Sequence, residues 1–228
     1  MTKITAHAGC EGTPPGSREG IETAIRLGAD VVELDLRLLD GVVWLSHDML
    51  DTGRLHTYLT LEQALGLFCG CNAEINCDLK EPEVLPYALE TIRKMDLESR
   101  IIFTGEFDPD LEQGKGQYRY FQNAELLCSI GPEGKLSRAD AEQMVEHYRD
   151  HAADIFGGYN ISYDMLTPET LRLLSGAGIP LSCWTVDEQD AICTLLWMGI
   201  AYLTTNHVRY AVEQRAACGG PFAAGRYL

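Results

Sequence analysis

Val31-Val32-Glu33-Leu34-Asp35-Leu36 is the stretch on which the fold turns. Its β-branched start reads as a strand, and side chains on a strand alternate between two faces. Val32, Leu34 and Leu36 then share one face, and Glu33 and Asp35 share the other. In a parallel sheet both faces are normally buried and apolar. Two carboxylates side by side on such a strand would repel each other and lose their water. A divalent cation removes both problems, because hard cations take carboxylate oxygens. The alternative is an edge strand with one wet face. Metal binding is preferred, since functional residues collect at the C-terminal mouth of a parallel barrel.

Working outward, strand-like and helix-like segments alternate along the chain. Ile4 to His7 is short and apolar, and Ile21, Ala24, Ile25 and Gly28 follow at helical spacing. Leu61, Ala64, Leu65 and Phe68 fit a helix face, Ala73 to Leu79 a strand, and Leu85, Ala88, Leu89 and Ile92 the next helix. Arg100 to Thr104 and Leu126 to Ile130 are expected strands, and Glu106 to Asn123 a loop or short helix. Ala141, Val145 and Tyr148 fit a helix with Ser137 as its cap. Gly157 to Ser162, Leu181 to Val186 and Ala201 to Thr204 complete the strands. Thr167-Pro168 opens one late helix, Asp187 is expected to cap another through Met198, and a last begins near Val208. About eight strands alternating with helices is the pattern of parallel βαβ units. The expected fold is therefore α/β, a compact (β/α)8 TIM-type barrel forming one domain over residues 1–228. A doubly wound open sheet is the runner-up, weakened by the lack of a G-x-G-x-x-G turn after the first strand.

The chain has 228 residues and a net charge of −16. So acidic a surface argues against nucleic acid as a partner, and a phosphate-handling site would need local positive charge, with a bound cation its obvious source. No apolar run reaches the ~18 residues that span a bilayer, and Met1 to His7 lacks the apolar stretch of a secretory signal. Cys77, Cys183 and Cys193 lie in apolar segments and read as core residues. Cys69-Gly-Cys71 has no second pair at zinc-site spacing. A reducing cytoplasm is the expected compartment.

A second strand repeats the first one's logic. In Asn76-Cys77-Asp78-Leu79-Lys80, Asn76, Asp78 and Lys80 share a face. Asp78 is a candidate third metal ligand and Lys80 a candidate phosphate contact; a local Asp–Lys ion pair is the alternative. His7 and His47 each end a strand-like segment near these carboxylates. Histidine is the usual acid or base near neutral pH, and both are candidate catalytic groups.

Taken in order, His7-x-Gly9, Gly28-Ala29-Asp30, Glu33-x-Asp35, Asp40-Gly41 and His47-Asp48 resemble the opening signature of the glycerophosphodiester phosphodiesterases. Asn76-Cys77-Asp78-Leu79-Lys80 is similar to that family's third metal-binding strand, with Asp where Glu is more usual. Trp184-Thr185-Val186-Asp187 resembles its late tryptophan motif. Gly199 to Asn206 resembles its closing strand, with Asn206 where the family usually has Asp. The resemblance spans nearly the whole chain. It implies a TIM-type barrel that hydrolyses a small-molecule glycerophosphodiester to glycerol 3-phosphate and an alcohol. It implies Mg²⁺ or Ca²⁺ held by Glu33, Asp35 and Asp78, an acid–base pair in His7 and His47, and Lys80 at the phosphate. Trp184 is expected to wall the substrate pocket or to sit in the core.

The chain also departs from the family. Ala8 stands in place of the arginine after the first histidine, and Pro14-Pro15-Gly16-Ser17 lacks the glutamate of a Pro-Glu-Asn-Thr-like segment. Arg18 and Arg37 are candidates to replace the lost phosphate contact. The short stretch from His47 to Leu61 leaves no room for the family's small inserted subdomain. These losses motivate a second reading, a weakened barrel that binds a phospho-ligand without efficient turnover; a related lyase that forms a cyclic phosphate is a third.

Overall fold

The computed structural model describes residues 1–106, 118–128, 134–151 and 156–218. Among the described residues, nine strands form one sheet: β1 (Lys3–Ala6), β2 (Val31–Leu39), β3 (Val42–Leu45), β4 (Glu74–Leu79), β5 (Ile101–Gly105), β6 (Arg119–Asn123), β7 (Phe156–Ser162), β8 (Leu181–Trp184) and β9 (Tyr202–Thr205). The parallel ladder runs β2-β4-β5-β6-β7-β8-β9-β1 and closes where β1 pairs with β2. Eight parallel strands thus make a barrel, as the alternation predicts, and the open-sheet reading is set aside. The ninth strand, β3, is an antiparallel hairpin partner of β2. Asp40 and Gly41 join the two with φ of 51° and 75°, the pair of positive values that a two-residue type I′ hairpin turn requires.

Seven α-helices wrap the described part of the barrel: α1 (Arg18–Arg26), α2 (Leu61–Leu65), α3 (Val84–Lys94), α4 (Arg138–His151), α5 (Pro168–Gly176), α6 (Gln189–Met198) and α7 (Val208–Cys218). Their starts follow local chemistry. Ser17 and Thr60 accept backbone N–H bonds at the heads of α1 and α2, Ser137 accepts from Asp140 N, and Thr167 caps α5 with Pro168 at its first position. Between His47 and Leu61 the chain makes only a short 3-10 turn, Thr52–Thr57.

Alternation on β2 and β4 sorts the interior. Val32, Leu34, Leu36, Ile75, Cys77 and Leu79 belong to the large core between barrel and helices. Val31, Ile102, Phe121 and Tyr202 form a separate apolar plug inside the barrel. Lys3 and Arg119 both pair with Glu74, the first residue of β4 and so on the N-terminal side of that plug. Toward the C-terminal mouth, Asp35 lies opposite Asp78, and Asp78 opposite Thr104. β2 is paired on both sides, so the edge-strand alternative for Glu33 and Asp35 does not hold.

Three local expectations are corrected. The strand expected over Leu126 to Ile130 is instead β6, five residues from Arg119, followed by a 3-10 turn at Ala124–Leu126; Ser129 and Ile130 lie outside the described residues. β6 also claims the end of the stretch read as a loop from Glu106 to Asn123, of which residues 107–117 lie outside those described. Its adjacent aromatics serve different cores. Tyr120 stacks on Phe103 at 5.1 Å, while Phe121 meets Tyr202 edge-on inside the barrel. Asp187 does not cap α6, which starts after Glu188 without a side-chain cap bond. Its carboxylate accepts hydrogen bonds from Thr205 and Asn206. Among the described residues, no helix is long and apolar enough to cross a membrane.

Candidate active site

The C-terminal mouth of the barrel opens on a cleft of about 280 Å³. His7, Glu33, His47, Asp78, Lys80 and Trp184 all line it, and Asp35 lies beneath, 3% exposed and in contact with Lys80. The seven residues singled out from sequence therefore come together from β2, β4 and β8 and from the positions just after β1, β3 and β4.

The floor is an ion-pair cluster. The Lys80 ammonium stands between two carboxylates, 2.5 Å from Asp78 Oδ2 and 2.8 Å from Asp35 Oδ1. The Asp–Lys pair offered as the plain alternative for this strand is thus present, and it sits inside the cleft. Burial opposes the charged form of Lys80, but Asp78 and Asp35 outweigh it and hold the ammonium above its ordinary range. Thr104 donates its hydroxyl to Asp78 Oδ1 at 2.8 Å. Glu33 is left with less support. Burial, then Asp78 and Asp35, push its carboxyl well above the usual range, against the smaller pulls of Lys80 and Asn76.

Three carboxyls against one ammonium leave an excess of negative charge and of hard oxygen donors. That donor chemistry fits Mg²⁺ or Ca²⁺ and would relieve the repulsion at Glu33. Among the described residues, no three acidic, histidine or cysteine side chains converge on a common point. The acids answer each other through Lys80 instead.

The two histidines differ in their partners. His7 is part-buried, with Nδ1 3.0 Å from Asn206 Oδ1 and Nε2 3.9 Å from Glu33 Oε1. His47 is 65% exposed, and its Nδ1 lies 3.1 Å from Asp48 Oδ1. Arg37 fixes the backbone at His47: its Nε and Nη2 donate to the His47 carbonyl at 3.2 and 2.9 Å, and its Nη1 pairs with Glu81 at 2.6 Å. Glu81 in turn accepts from Leu38 N at 2.7 Å. Of the two arginines proposed to replace the one missing at Ala8, Arg37 does line the cleft, but its fork is committed to His47 and Glu81. Arg18 pairs with Glu22 on the exposed face of α1.

The cleft also contains residues that sequence reasoning passed over, notably Thr104, Asn123 and Asn160 at or near the ends of β5, β6 and β7. Asn160 donates to Asn123 Oδ1 at 2.8 Å. Their one sequence signal is position, a polar side chain at the C-terminal end of a barrel strand. Trp184 walls the cleft, and its indole N–H has no hydrogen-bond partner among the described residues.

No protein-family model matches the chain, and no curated protein matches it in sequence. Solved structures do match it in shape. A glycerophosphodiester phosphodiesterase from Parabacteroides distasonis superposes with a TM-score of 0.72 at 19% identity, covering 96% of this chain and 98% of that one. One from Thermotoga maritima gives 0.71 at 22% identity over 94% and 99% of the two chains. The chain has the fold of these phosphodiesterases. An Oleispira antarctica phosphodiesterase, solved in complex with the product sn-glycerol-3-phosphate, gives a TM-score of 0.70 at 17% identity over 94% and 96%. At these identities the likeness is one of fold, and it extends through nearly the full length of each chain.

Proposed function

We propose that this chain is a divalent-metal-dependent phosphodiesterase that hydrolyses a glycerophosphodiester to glycerol 3-phosphate and an alcohol. One observation carries the reading: two histidines, two of the three strand acids and Lys80 line a single cleft at the C-terminal mouth of the barrel. The full-length likeness to solved phosphodiesterases supports it, as does the order of the motifs from His7 to Asp48.

Glu33, Asp35 and Asp78 are the residues that would hold Mg²⁺ or Ca²⁺, which when bound supplies polarisation of the phosphoryl oxygens. Lys80 presents its ammonium from the cleft floor to a phosphoryl oxygen, held there by Asp35 and Asp78. Its positive charge matters because the chain as a whole, at −16, repels an anion. His7 and His47 form the acid–base pair: one takes a proton from the attacking hydroxyl, of water or of the substrate's own neighbouring carbon, and the other protonates the leaving alkoxide; where the neighbouring hydroxyl attacks, water then opens the resulting cyclic phosphate to glycerol 3-phosphate. Trp184 supplies an apolar wall for the glycerol carbons.

The test is incubation of the purified protein with glycerophosphocholine and Mg²⁺ or Ca²⁺, with and without chelator. Release of glycerol 3-phosphate that stops on chelation is expected. Measurable binding of phosphodiesters with no turnover across a broad panel would replace this reading with that of a phospho-ligand-binding barrel.

A further inference from the structure

His7 is held by a chain of hydrogen bonds that reaches away from the cleft. Its Nδ1 meets Asn206 Oδ1 at 3.0 Å. Asn206 Nδ2 donates to Asp187 Oδ2 at 2.8 Å, and its backbone N–H donates to Asp187 Oδ1 at the same distance. The Asn206 carbonyl accepts from Glu11 N at 2.8 Å, so every polar group of this residue is engaged. Asp187 also accepts from the Thr205 hydroxyl at 3.1 Å. The Thr205 carbonyl, for its part, accepts from His7 N at 3.1 Å. The loop after β8, the end of β9 and the end of β1 are thereby tied together behind one imidazole.

The direction of these bonds follows from the chemistry of the groups. Burial works against a charged Asp187, but the donors on Asn206 and Thr205 outweigh it and hold its carboxyl below the ordinary range. At neutral pH it is a carboxylate, which only accepts. The NH₂ of Asn206 must then face Asp187, and its carbonyl oxygen must face His7. A carbonyl oxygen also only accepts, so Nδ1 of His7 must carry a hydrogen. In neutral imidazole that leaves Nε2 bare, on the side of the ring nearer Glu33 and the cleft.

We propose that Asp187 and Asn206 are positioning residues that lock His7 in its Nδ1–H tautomer, so that Nε2 is the base of the reaction. Nε2 accepts the proton of the attacking hydroxyl as that oxygen bonds to phosphorus. The phosphorus–oxygen bond to the leaving alkoxide breaks, and His47, paired with Asp48, returns a proton to it. Asn at 206 suits this relay because its amide NH₂ donates to the Asp187 carboxylate while its carbonyl oxygen accepts from His7. The catalytic half of the inference rests on the phosphodiesterase reading; the tautomer does not.

The experiment is a long-range ¹H–¹⁵N correlation spectrum of histidine-labelled protein, run beside kinetics on glycerophosphocholine. Wild-type His7 is expected to show a pyrrole-type Nδ1 and a pyridine-type Nε2. Asn206→Leu opens both tautomers and is expected to lower kcat about 10²–10⁴-fold, the range for loss of general-base catalysis, with little change in KM. Asn206→Asp alone sets two carboxylates against each other and is expected to lose activity similarly. Combining it with Asp187→Asn restores a donor–acceptor chain, and is expected to recover both the tautomer and turnover to within about tenfold of wild type. A wild-type His7 protonated on Nε2, or an Asn206→Leu protein with unchanged tautomer and kcat, overturns the relay. The expected tautomer in a protein that turns over no phosphodiester supports the relay and counts against the activity.

Discussion

Lys80→Met removes the ammonium from the cleft floor while keeping most of the aliphatic stem. The side chains involved are nearly dry, with Lys80 16% exposed, Asp78 15% and Asp35 3%. Removing one partner of such a cluster leaves buried charge without compensation, at a cost of about 3–5 kcal/mol. For a chain of 228 residues each kcal/mol corresponds to roughly 2–4 °C, so Tm is expected to fall by about 6–20 °C. The assay is urea and thermal unfolding in the presence of chelator. A double-mutant cycle isolates the cause: Lys80→Met with Asp78→Asn should cost less than the two single losses added together, by at least about 1 kcal/mol. In the Lys80→Met protein, millimolar Mg²⁺ or Ca²⁺ is expected to recover part of the stability, since three acids then lack any other cation. A loss below about 1 kcal/mol, or strictly additive losses, would show that Lys80 does not balance these carboxylates.

Glu33→Gln acts in the opposite direction on stability. The carboxyl of Glu33 binds its proton more tightly folded than unfolded, so the folded state loses stability as pH rises above the ordinary value of 4.5. In chelator at neutral pH the Gln variant should have the higher urea midpoint, with the gap closing as pH falls toward 4.5; equal midpoints throughout would contradict the assignment. His7→Ala and His47→Ala should each lower turnover about 10²–10⁴-fold, with the circular dichroism spectrum unchanged, and near-normal rates in either would remove that residue from the acid–base pair. Arg37→Gln frees the carbonyl of His47 and is expected to lower kcat about 10- to 100-fold, with no rescue by Arg37→Lys, which cannot reproduce the fork.

The acids and the lysine of the site are legible in sequence because their chemistry conflicts with their secondary structure. Glu33 and Asp35 on a β-branched run, or Asp78 and Lys80 beside Cys77 and Leu79, cannot be explained by an apolar core, so alternation alone marks them. Thr104, Asn123 and Asn160 raise no such conflict. A single neutral polar residue at the end of a strand carries no period, and only closure of the barrel shows that the three face one cleft. β6 is hard to place from sequence because Tyr120 and Phe121 are adjacent yet pack on opposite sides of the barrel wall, so neither marks a single apolar face. Asp187 misleads for a different reason. An Asp just before a helical pattern is the ordinary signature of a cap, and its true partners lie 18 and 19 residues on, brought to it by the pairing of β8 with β9.

Phosphorus NMR of glycerophosphocholine incubated with the purified protein and Mg²⁺ or Ca²⁺ follows the scissile diester itself. Loss of the diester resonance and growth of a single glycerol 3-phosphate monoester are expected, both abolished by chelator and by His7→Ala. A persistent cyclic phosphate as the end product would make the protein a lyase. An unchanged diester resonance across a panel of glycerophosphodiesters would show that the protein is not a glycerophosphodiester phosphodiesterase.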